Sequence, residues 1–428
     1  MGSIILRNRG DKWDYRFEIA SVDGQRKFKS KGGFRTKKEA QMAGTQAQVE
    51  YENAGMQITP TEMSYADYLE YWFTNYVLMN LKYHTQQAYR TIIDIHIKPV
   101  LGQYKVKSLN PMVLQTFVNN KYKNGGYKKS TLVNILGVLT GSLKYAVYPA
   151  QMIKESPALY LKHPRLDVAR SEVNRTVISV SDFNKMLDRF INTPFYYSLL
   201  IGFYTGMRIG EVYGLTWEDI DFEAKTISVS RISYKRNYGF DPRNVKREKG
   251  KREEKSSWYF GDTKTKSSVR TIKIGDTLLS ALKQYRRSQI AKELEYGEYY
   301  TIYYRKDEKD ESGNVIHRLV PAQKLIPCSL PKVNLVMRKE NGEYSSPDSF
   351  KYAARVIHHE LNIQFNFHAL RHTHATMLIE NGISVKSVQE RLGHADVETT
   401  LQTYVHDTEK MKDEAVNVFE SAAKVDIR

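Results

Sequence analysis

The alternation of apolar and polar positions near the amino terminus predicts a small β-sheet. Trp13, Tyr15, Phe17 and Ile19 alternate with charged residues, which is the period-two pattern of a strand with one buried face. A turn signal at Asp23-Gly24 leads into a second, basic strand. A capping box, Thr36-Lys37-Lys38-Glu39, then predicts the start of a helix that runs to about Gly55. Residues 1–58 are therefore predicted to form a three-stranded sheet with one helix.

Helical periodicity replaces this alternation over residues 64–165. Helix starts are predicted at Ser64, near Thr85, at the cap-plus-proline pair Asn110-Pro111, and at Ser130, whose helix ends near Ala150. A charged stretch at 161–173 contains Pro164 and is typical of an exposed linker. The pattern favours a separate helical domain.

Beyond the linker, helical segments and short strands are interleaved. The apolar run from Phe195 to Met207 predicts a buried helix that delivers Arg208, while residues 225–230 and 269–274 alternate as strands. Helical patterns dominate from Asp348, and a last helix is predicted from about Thr408 to Lys424. The predicted fold class is therefore multidomain and mainly α with small β-sheets, with domains at 1–58, 64–165 and a mixed α+β domain at 174–428.

Composition narrows the class of partner. Lys and Arg number 65 against 48 Asp and Glu, giving a net charge of +17, and such an excess favours a polyanion such as nucleic acid. Cys328 is the only cysteine, which excludes an intramolecular disulfide and a cysteine-built zinc site. The amino terminus lacks the apolar run of a signal peptide, and no stretch approaches the ~20 apolar residues of a membrane span. We expect a soluble intracellular protein in a reducing cytoplasm, without a membrane association.

Two segments hold much of the positive charge. Residues 24–38 contain seven basic and no acidic residues, which indicates either a solvated face or a DNA-reading strand. The candidate DNA contacts there are Arg26, Lys27, Lys29, Lys31 and Arg35. Residues 235–273 contain 13 basic and 5 acidic residues, so their net +8 is nearly half of the total.

The last quarter of the chain combines residues suited to phosphodiester chemistry. His368-Ala369-Leu370-Arg371 precedes Leu392-Gly393-His394 and Tyr404, and Thr205-Gly206-Met207-Arg208-Ile209-Gly210-Glu211 lies far upstream. Arginine forks bind non-bridging phosphate oxygens in bidentate geometry and keep their charge. His368 and His372 also have the spacing of a helical metal pair, but no third ligand cluster or His-Glu-x-x-His pattern accompanies them.

A tyrosine hydroxyl can attack phosphorus if a base takes its proton, because an unperturbed phenol has a pKa of about 10. A nearby histidine could accept that proton. The leaving oxygen needs an acid, and Lys264 is a candidate within Asp262-Thr263-Lys264-Thr265-Lys266, at a predicted hairpin between strands. Lys266 is the alternative if the hairpin register differs by two.

Taken in order, Thr-Gly-x-Arg-x-x-Glu, a hairpin lysine, His-x-x-Arg, Leu-Gly-His and a tyrosine resemble the tyrosine recombinase family over residues 175–410. The resemblance implies that Tyr404 forms a 3′-phosphotyrosyl bond while Arg208 and Arg371 hold the scissile phosphate. It further implies that Lys264 protonates the 5′ leaving oxygen and that His368 takes the proton of the tyrosine. His394 is implied to form a hydrogen bond with the phosphate. Glu211 is expected to brace Arg208 rather than to react.

The upstream layout resembles the arm-binding and core-binding domains of phage-type integrases, which serve temperate phages, genomic islands and integrative conjugative elements. The resemblance implies a site-specific integrase that integrates and excises a mobile element through a Holliday junction without a metal or nucleotide cofactor. The implied partners are double-stranded DNA with core-type and arm-type sites, a homotetramer on that DNA, DNA-bending accessory proteins and an excisionase. The implied location is the cytoplasm of a bacterial host cell, in association with the nucleoid. A type IB topoisomerase-like enzyme and a catalytically silent DNA-binding regulator remain the alternatives.

Two segments are long for this family. The basic insertion at 234–261 is predicted to be a β-hairpin that touches DNA or a neighbouring protomer, with a disordered insertion as the alternative. The sequence predicts no structure for residues 296–346.

Overall fold

The computed structural model describes residues 4–22, 25–52, 63–125, 127, 129–162, 176–237, 256–263, 266–310 and 312–394. The chain divides into two compact units, Met1–Asp167 and Val168–Arg428. The first unit contains the amino-terminal sheet and the predicted helical region. The boundaries of the three predicted domains stay a prediction.

The amino-terminal sheet has the predicted architecture. Its elements are β1 (Ile5–Arg9), β2 (Lys12–Val22), β3 (Gln25–Phe34) and α1 (Lys37–Glu52), and the antiparallel strands follow the order β1-β2-β3. Tyr15 and Phe17 are buried beside Ala47 of α1, so the alternation along β2 marked the core face correctly. The observed capping box differs from the predicted one in one hydrogen-bond partner. The Glu39 N–H donates to Thr36 Oγ1 (3.2 Å), but the Glu39 carboxylate accepts from the Arg35 N–H (3.1 Å) rather than from that of Thr36.

The helical region also forms as predicted. Ser64 caps its first helix by accepting the Asp67 N–H (3.1 Å), and Asn110 caps the helix that begins at Pro111 by accepting the Val113 N–H (2.9 Å). The helices are α2 (Tyr65–Trp72), α3 (Leu78–Asn80), α4 (Tyr83–Ile92), α5 (Lys98–Leu101), α6 (Pro111–Gly125) and α7 (Lys129–Val147), with π-helical turns at Phe73–Val77 and Ile93–Ile97.

The prediction that no apolar stretch approaches the length of a membrane span is wrong for one helix. Among the described residues, Ser130–Val147 of α7 is long and apolar enough to cross a membrane by length and composition, and 44% of this stretch is buried inside the molecule. Its Leu139 and Leu143 are fully buried in the core of the helical region. A core helix therefore carries this apolar run.

The second unit contains seven α-helices among its described residues and, between them in sequence, a small three-stranded sheet. Its helices are α8 (Val180–Arg189), α9 (Pro194–Thr205), α10 (Ile209–Val212), α11 (Asp276–Tyr296), α12 (Pro347–His359), α13 (Phe367–Glu380) and α14 (Val385–Leu392). The sheet consists of β4 (Ile220–Asp221), β5 (Thr226–Val229) and β8 (Arg270–Lys273), in the order β4-β5-β8. The two strands predicted from alternation are β5 and β8, and they pair antiparallel from Thr226↔Lys273 to Val229↔Arg270.

The two long segments form one structure. The strands β6 (Arg231–Asn237), β7 (Ser256–Asp262), β9 (Thr301–Lys309), β10 (Val315–Gln323) and β11 (Lys332–Val333) build a five-stranded antiparallel sheet in the order β11-β9-β10-β7-β6. β6 and β7 pair without interruption, so the stem of the predicted inserted hairpin is confirmed. The second segment, which had no predicted structure, adds its strands to that hairpin through β10 and β7.

The predicted hairpin around Lys264 is wrong. β7 and β8 flank this lysine, but β7 pairs with β6 and β10 in the five-stranded sheet, whereas β8 pairs with β5 in the three-stranded sheet. The inserted strands β6 and β7 separate β5 from β8 along the chain, so the strands before and after Lys264 belong to different sheets. Lys264 itself lies outside the described residues.

Candidate active site

The turn between α9 and α10 determines the position of Arg208. Gly206 ends α9 with φ +66°, a left-handed conformation that glycine adopts without strain. A Cβ at this position would also lie 2.6 Å from Leu392 Cδ2 and 3.0 Å from the His374 ring. Glycine is therefore required both for the backbone and for the close approach of α13 and α14. Arg208 follows in an extended conformation at the start of α10.

Glu211 holds Arg208 in place. Its carboxylate accepts the Arg208 backbone N–H (2.9 Å) and the Arg208 Nη1–H (2.9 Å), and the Glu211 side chain is 1% exposed. Burial by itself would raise the pKa of Glu211, but the charges and hydrogen bonds of Arg270 and Arg208 outweigh burial and lower it. Glu211 is therefore ionised at neutral pH, and the interpretation of Glu211 as a brace for Arg208 is confirmed.

Arg371 lies on α13 and joins two other elements. Asn366 caps this helix by accepting the Ala369 N–H (3.0 Å), so the helix begins just before His368. The Arg371 side chain is fully buried, and it donates to the carbonyl oxygens of Gly206 (2.9 Å) and Leu392 (2.8 Å). These carbonyls come from the ends of α9 and α14. The guanidinium thus fixes the end of α9, just before Arg208, and the end of α14, just before His394.

Two histidines experience the field of these arginines. Burial, followed by the charges of Arg371 and Arg208, lowers the pKa of His368. Burial and the same two arginines, together with His368 and Arg270, lower the pKa of His394 to about 3. Both imidazoles are therefore neutral near pH 7, and a neutral imidazole can accept a proton or a hydrogen bond.

The structure brings together four of the six predicted catalytic residues: Arg208, His368, Arg371 and His394. The other two, Lys264 and Tyr404, lie outside the described residues, as does the predicted helix at 408–424. The predicted DNA contacts belong to the other unit, in and just after β3 of the amino-terminal sheet. Lys29 and Lys31 are exposed on β3 and Arg35 is exposed after it, while Arg26 and Lys27 belong to β3 but their side chains are outside the described residues.

Sequence reasoning missed three members of this region. Arg270 donates to both Glu211 oxygens, at 3.0 and 3.3 Å. His374 contacts Phe203 O through Nδ1 (2.8 Å) and accepts from Arg391 Nε (3.0 Å). No local motif distinguishes Arg270 or Arg391 among the chain's many basic residues, because their partners are distant in sequence. The ring centroids of His368 and His372 lie 4.6 Å apart edge to face, and within the described ranges no group of three metal-ligating side chains forms.

Two arginines and two neutral histidines converging on one place can bind a phosphate diester. The guanidinium groups neutralise charge that builds up on phosphorus oxygens, and the imidazoles supply a hydrogen bond and a proton acceptor. Such an arrangement stabilises the crowded, highly charged phosphorus of a phosphoryl transfer reaction.

The sequence profile of the phage integrase family matches residues 177–411. The chain belongs to the phage integrase family. Two further profiles match upstream, the SAM-like amino-terminal domain of phage integrases at 64–122 and an arm DNA-binding domain at 6–51. Family membership makes this integrase a tyrosine recombinase, an enzyme that cleaves and rejoins DNA in site-specific recombination.

The integrase is similar to proteins from several mobile elements and bacteria. A tyrosine recombinase XerC-like protein of Caldanaerobacter subterraneus is 28% identical over 395 residues, which cover 89% of each chain. The structure of the Tn1549 transposon integrase in complex with transposon right end DNA superposes with a TM-score of 0.59 at 20% identity, covering 84% of this chain and 100% of that one. A lambda integrase tetramer bound to a Holliday junction gives a TM-score of 0.51 at 14% identity, over 95% of this chain and 96% of that one. These structural likenesses establish a shared fold.

Proposed function

We propose that this integrase cuts and rejoins double-stranded DNA through a covalent bond between Tyr404 and the 3′ phosphate of the cleaved strand. The convergence of Arg208 and Arg371 with two neutral histidines, on elements held together by buried hydrogen bonds, carries the proposal. In this assignment both arginines bind the non-bridging oxygens of the scissile phosphate, and His394 donates a hydrogen bond to the same group.

The proposed step moves one proton at each end of the reacting phosphorus. The Tyr404 oxygen forms a bond to phosphorus and gives its proton to His368, whose lowered pKa leaves the imidazole free to accept it. The bond from phosphorus to the 5′ oxygen breaks, and Lys264 supplies the proton that turns this oxygen into a hydroxyl. The phosphotyrosyl bond keeps the free energy of the original diester. The 5′ hydroxyl of a partner strand then attacks it and restores the diester, so the exchange requires no nucleotide cofactor.

The division of labour along the chain follows the same proposal. Residues 1–58 bind arm-type DNA sites, residues 64–165 bind the core-type site, and residues 174–428 carry out the chemistry. The matching profiles at 6–51, 64–122 and 177–411 support this division. Four protomers act on two DNA partners through a Holliday junction, in analogy with the lambda integrase tetramer. DNA-bending accessory proteins and an excisionase would set the balance between integration and excision of a mobile element in its bacterial host.

The test is a trapped covalent intermediate. Wild-type protein and the Tyr404→Phe variant are mixed with labelled, nicked duplexes tiled from the DNA that flanks the gene, and denaturing gels report label retained on protein. Tyr299→Phe is the matched control, because Tyr299 is a 69% exposed tyrosine of the same unit. We expect an adduct at one sequence with wild-type protein and with Tyr299→Phe, and no adduct with Tyr404→Phe while site binding survives.

The alternatives give different outcomes. Adducts on every duplex would favour a type IB topoisomerase-like enzyme that relaxes DNA. Site binding by the wild-type protein without any adduct would favour a silent regulator. An adduct that persists in Tyr404→Phe would exclude Tyr404 as the nucleophile.

A further inference from the structure

Arg270 is a buried arginine on β8 whose whole guanidinium group is engaged within the protein. Its side chain is 6% exposed. Nη2 donates to Glu211 Oε2 (3.0 Å), and Nη1 lies 3.3 Å from Glu211 Oε1 and 3.0 Å from Ser268 O. Nε donates to Arg391 O (2.7 Å). Three nitrogens thus serve four acceptors, and the side chain is turned toward these protein groups rather than toward solvent.

Each acceptor belongs to a segment that carries part of the proposed site. Each Glu211 oxygen also accepts from Arg208, at 2.9 Å from Nη1 to Oε1 and 2.9 Å from the backbone N–H to Oε2. Ser268 ends the short turn that follows the Lys264 segment. Arg391 lies three residues before His394, near the end of α14. The elements that carry these acceptors are far apart in sequence, and Arg270 is the side chain that contacts all three.

We infer that Arg270 is a positioning residue for DNA cleavage, which acts through the Glu211 carboxylate to hold the Arg208 guanidinium in the geometry that binds the scissile phosphate. The inference rests on the proposed function of the same site. Arg270 and Arg208 share one buried carboxylate, and the carboxylate is oriented by both. Without the Arg270 fork, Glu211 would retain Arg208 as its partner but lose two of the four hydrogen bonds that fix the direction of its oxygens.

The shape of the guanidinium group explains why arginine is needed. Its planar fork presents parallel N–H groups to both carboxylate oxygens while Nε points along the side chain to a third acceptor. Lysine keeps the charge but offers only a compact ammonium, which cannot reach Glu211, Ser268 and Arg391 together. The surroundings are close-fitting as well. At Gly393, where φ is +69°, a Cβ would lie 2.9 Å from Ser267 O and 3.1 Å from Arg270 Cδ.

Arg270→Lys is therefore the informative variant, and Arg231→Lys is its matched control. Arg231 lies in the same unit and also pairs with a buried carboxylate, donating to Asp219 Oδ2 (2.5 Å) and Thr216 Oγ1 (3.1 Å). Its described contacts, which include the Phe260 ring at 5.5 Å, involve none of the four clustered site residues. Both substitutions thus replace a guanidinium group that donates to a buried carboxylate, one linked to the site and one not. Arg231 donates through Nη1 alone and its side chain is 32% exposed, whereas Arg270 donates through both Nη atoms and is 6% exposed.

The first measurement is single-turnover cleavage of the nicked site at saturating full-length protein. We expect Arg270→Lys to cleave about 100-fold more slowly than wild type, the scale of loss for a slightly misplaced catalytic group. Binding of the site and the melting temperature should match those of Arg231→Lys, which should cleave at the wild-type rate. Wild-type cleavage by Arg270→Lys would overturn the inference. Equal losses of cleavage in both variants, or a fall in cleavage that only follows lost folding or binding, would overturn it too.

A second substrate identifies the route by which Arg270 acts. Sulfur replaces the bridging 5′ oxygen at the scissile position, and because a thiol has a pKa of about 8.5 the leaving thiolate needs no proton. This substrate should restore cleavage by Lys264→Ala, or by Lys266→Ala if that lysine is the acid. The defect of Arg270→Lys should persist, because the non-bridging oxygens still require Arg208. Restoration of Arg270→Lys by sulfur would overturn the Glu211 route and assign Arg270 to the lysine-bearing segment.

Different results would contradict the proposed function and the positioning role of Arg270. Absence of any Tyr404-dependent adduct with the wild-type protein would contradict the proposed function itself. A normal wild-type adduct together with an unaffected Arg270→Lys variant would leave that function intact and remove only the positioning role.

Discussion

At the scale of single residues, His374 shows how burial and two fixed partners select one state of a side chain. Its Nδ1 lies 2.8 Å from the carbonyl oxygen of Phe203, and since a carbonyl only accepts, Nδ1 carries the proton. Nε2 then accepts from Arg391 Nε at 3.0 Å. Burial first, and the charge of Arg391 next, lower the pKa of His374 to about 4. The neutral ring connects α13 to α9 and α14.

His374 should make the folded state sensitive to acid. Its pKa in the folded protein lies below the unfolded value of about 6.5, so the unfolded chain takes up the proton first as pH falls. The resulting stability is present above that unfolded value and is lost progressively toward pH 4. We expect His374 to account for a loss of about 1–2 kcal/mol between neutral pH and about pH 5.

Urea unfolding of the wild-type protein and of His374→Gln at both pH values measures this contribution. Glutamine can still hydrogen-bond but does not titrate, so the variant should lose less stability on acidification than wild type. An identical acid loss in the two proteins would show that His374 does not titrate as its surroundings indicate.

At the scale of elements, the five-stranded sheet is the part of the catalytic unit that the family pattern did not anticipate. The hairpin β6–β7 pairs in register from Arg231↔Asp262 to Asn237↔Ser256, and the β9–β10 hairpin extends it. Trp258, Tyr303 and Tyr344 pack edge to face on one side of this sheet, with ring centroids 5.7 and 6.1 Å from that of Tyr344. The two insertions therefore share a core, which stabilises each of them.

The connection between β6 and β7 should be dispensable for folding but not for DNA affinity. Residues 238–255 contain seven basic and four acidic residues. Because Asn237 and Ser256 already face each other, an Asn-Gly turn can join the two strands in their place. We expect the shortened protein to melt near the wild-type temperature and to bind its site more weakly, with a less steep dependence of affinity on salt.

DNA-binding titrations of the wild-type and the shortened protein at several salt concentrations measure this difference. An unchanged salt dependence would place this charged segment away from the DNA phosphates and favour contact with a neighbouring protomer. A large fall in melting temperature would instead show that residues 238–255 belong to the folded core.

At the scale of the whole molecule, the basic amino-terminal sheet and the proposed catalytic residues belong to different units of the chain. The hydrophobic core beside Tyr15 and Phe17 draws on residues before 48, and the core of the helical region draws on residues after 62. Exposed Lys29, Lys31 and Arg35 belong to the first of these regions. Binding of arm-type DNA should therefore be separable from binding and cleavage of the core-type site.

Removal of residues 1–58 tests this separation. We expect the shortened protein to form the Tyr404-dependent adduct on the core-type site while losing affinity for arm-type DNA. A full-length variant with Lys29→Gln, Lys31→Gln and Arg35→Gln should show the same selective loss, since phosphate contacts dominate such affinity. Loss of the adduct after truncation, with the triple variant still active, would mean that the amino-terminal region is needed for the catalytic assembly.

The sequence by itself determined what depends on local patterns and on motif chemistry. The period-two strand at Tyr15 and Phe17 and the caps at Ser64 and Asn110 all depend on neighbours within a few residues. The order of arginine, histidine and tyrosine motifs likewise indicated the family, because each of these residue types has a defined use in phosphodiester chemistry.

Tertiary structure decided the relations that span long distances along the chain. It joined the 234–261 and 296–346 segments into one sheet, assigned the strands β7 and β8 to two different sheets, and revealed Arg270 between Glu211 and Arg391. Strand pairing and buried ion pairs between distant residues leave no periodic signal, since a basic residue that braces a carboxylate looks the same in sequence as one that faces solvent. The physical difference is burial, which only the folded chain creates.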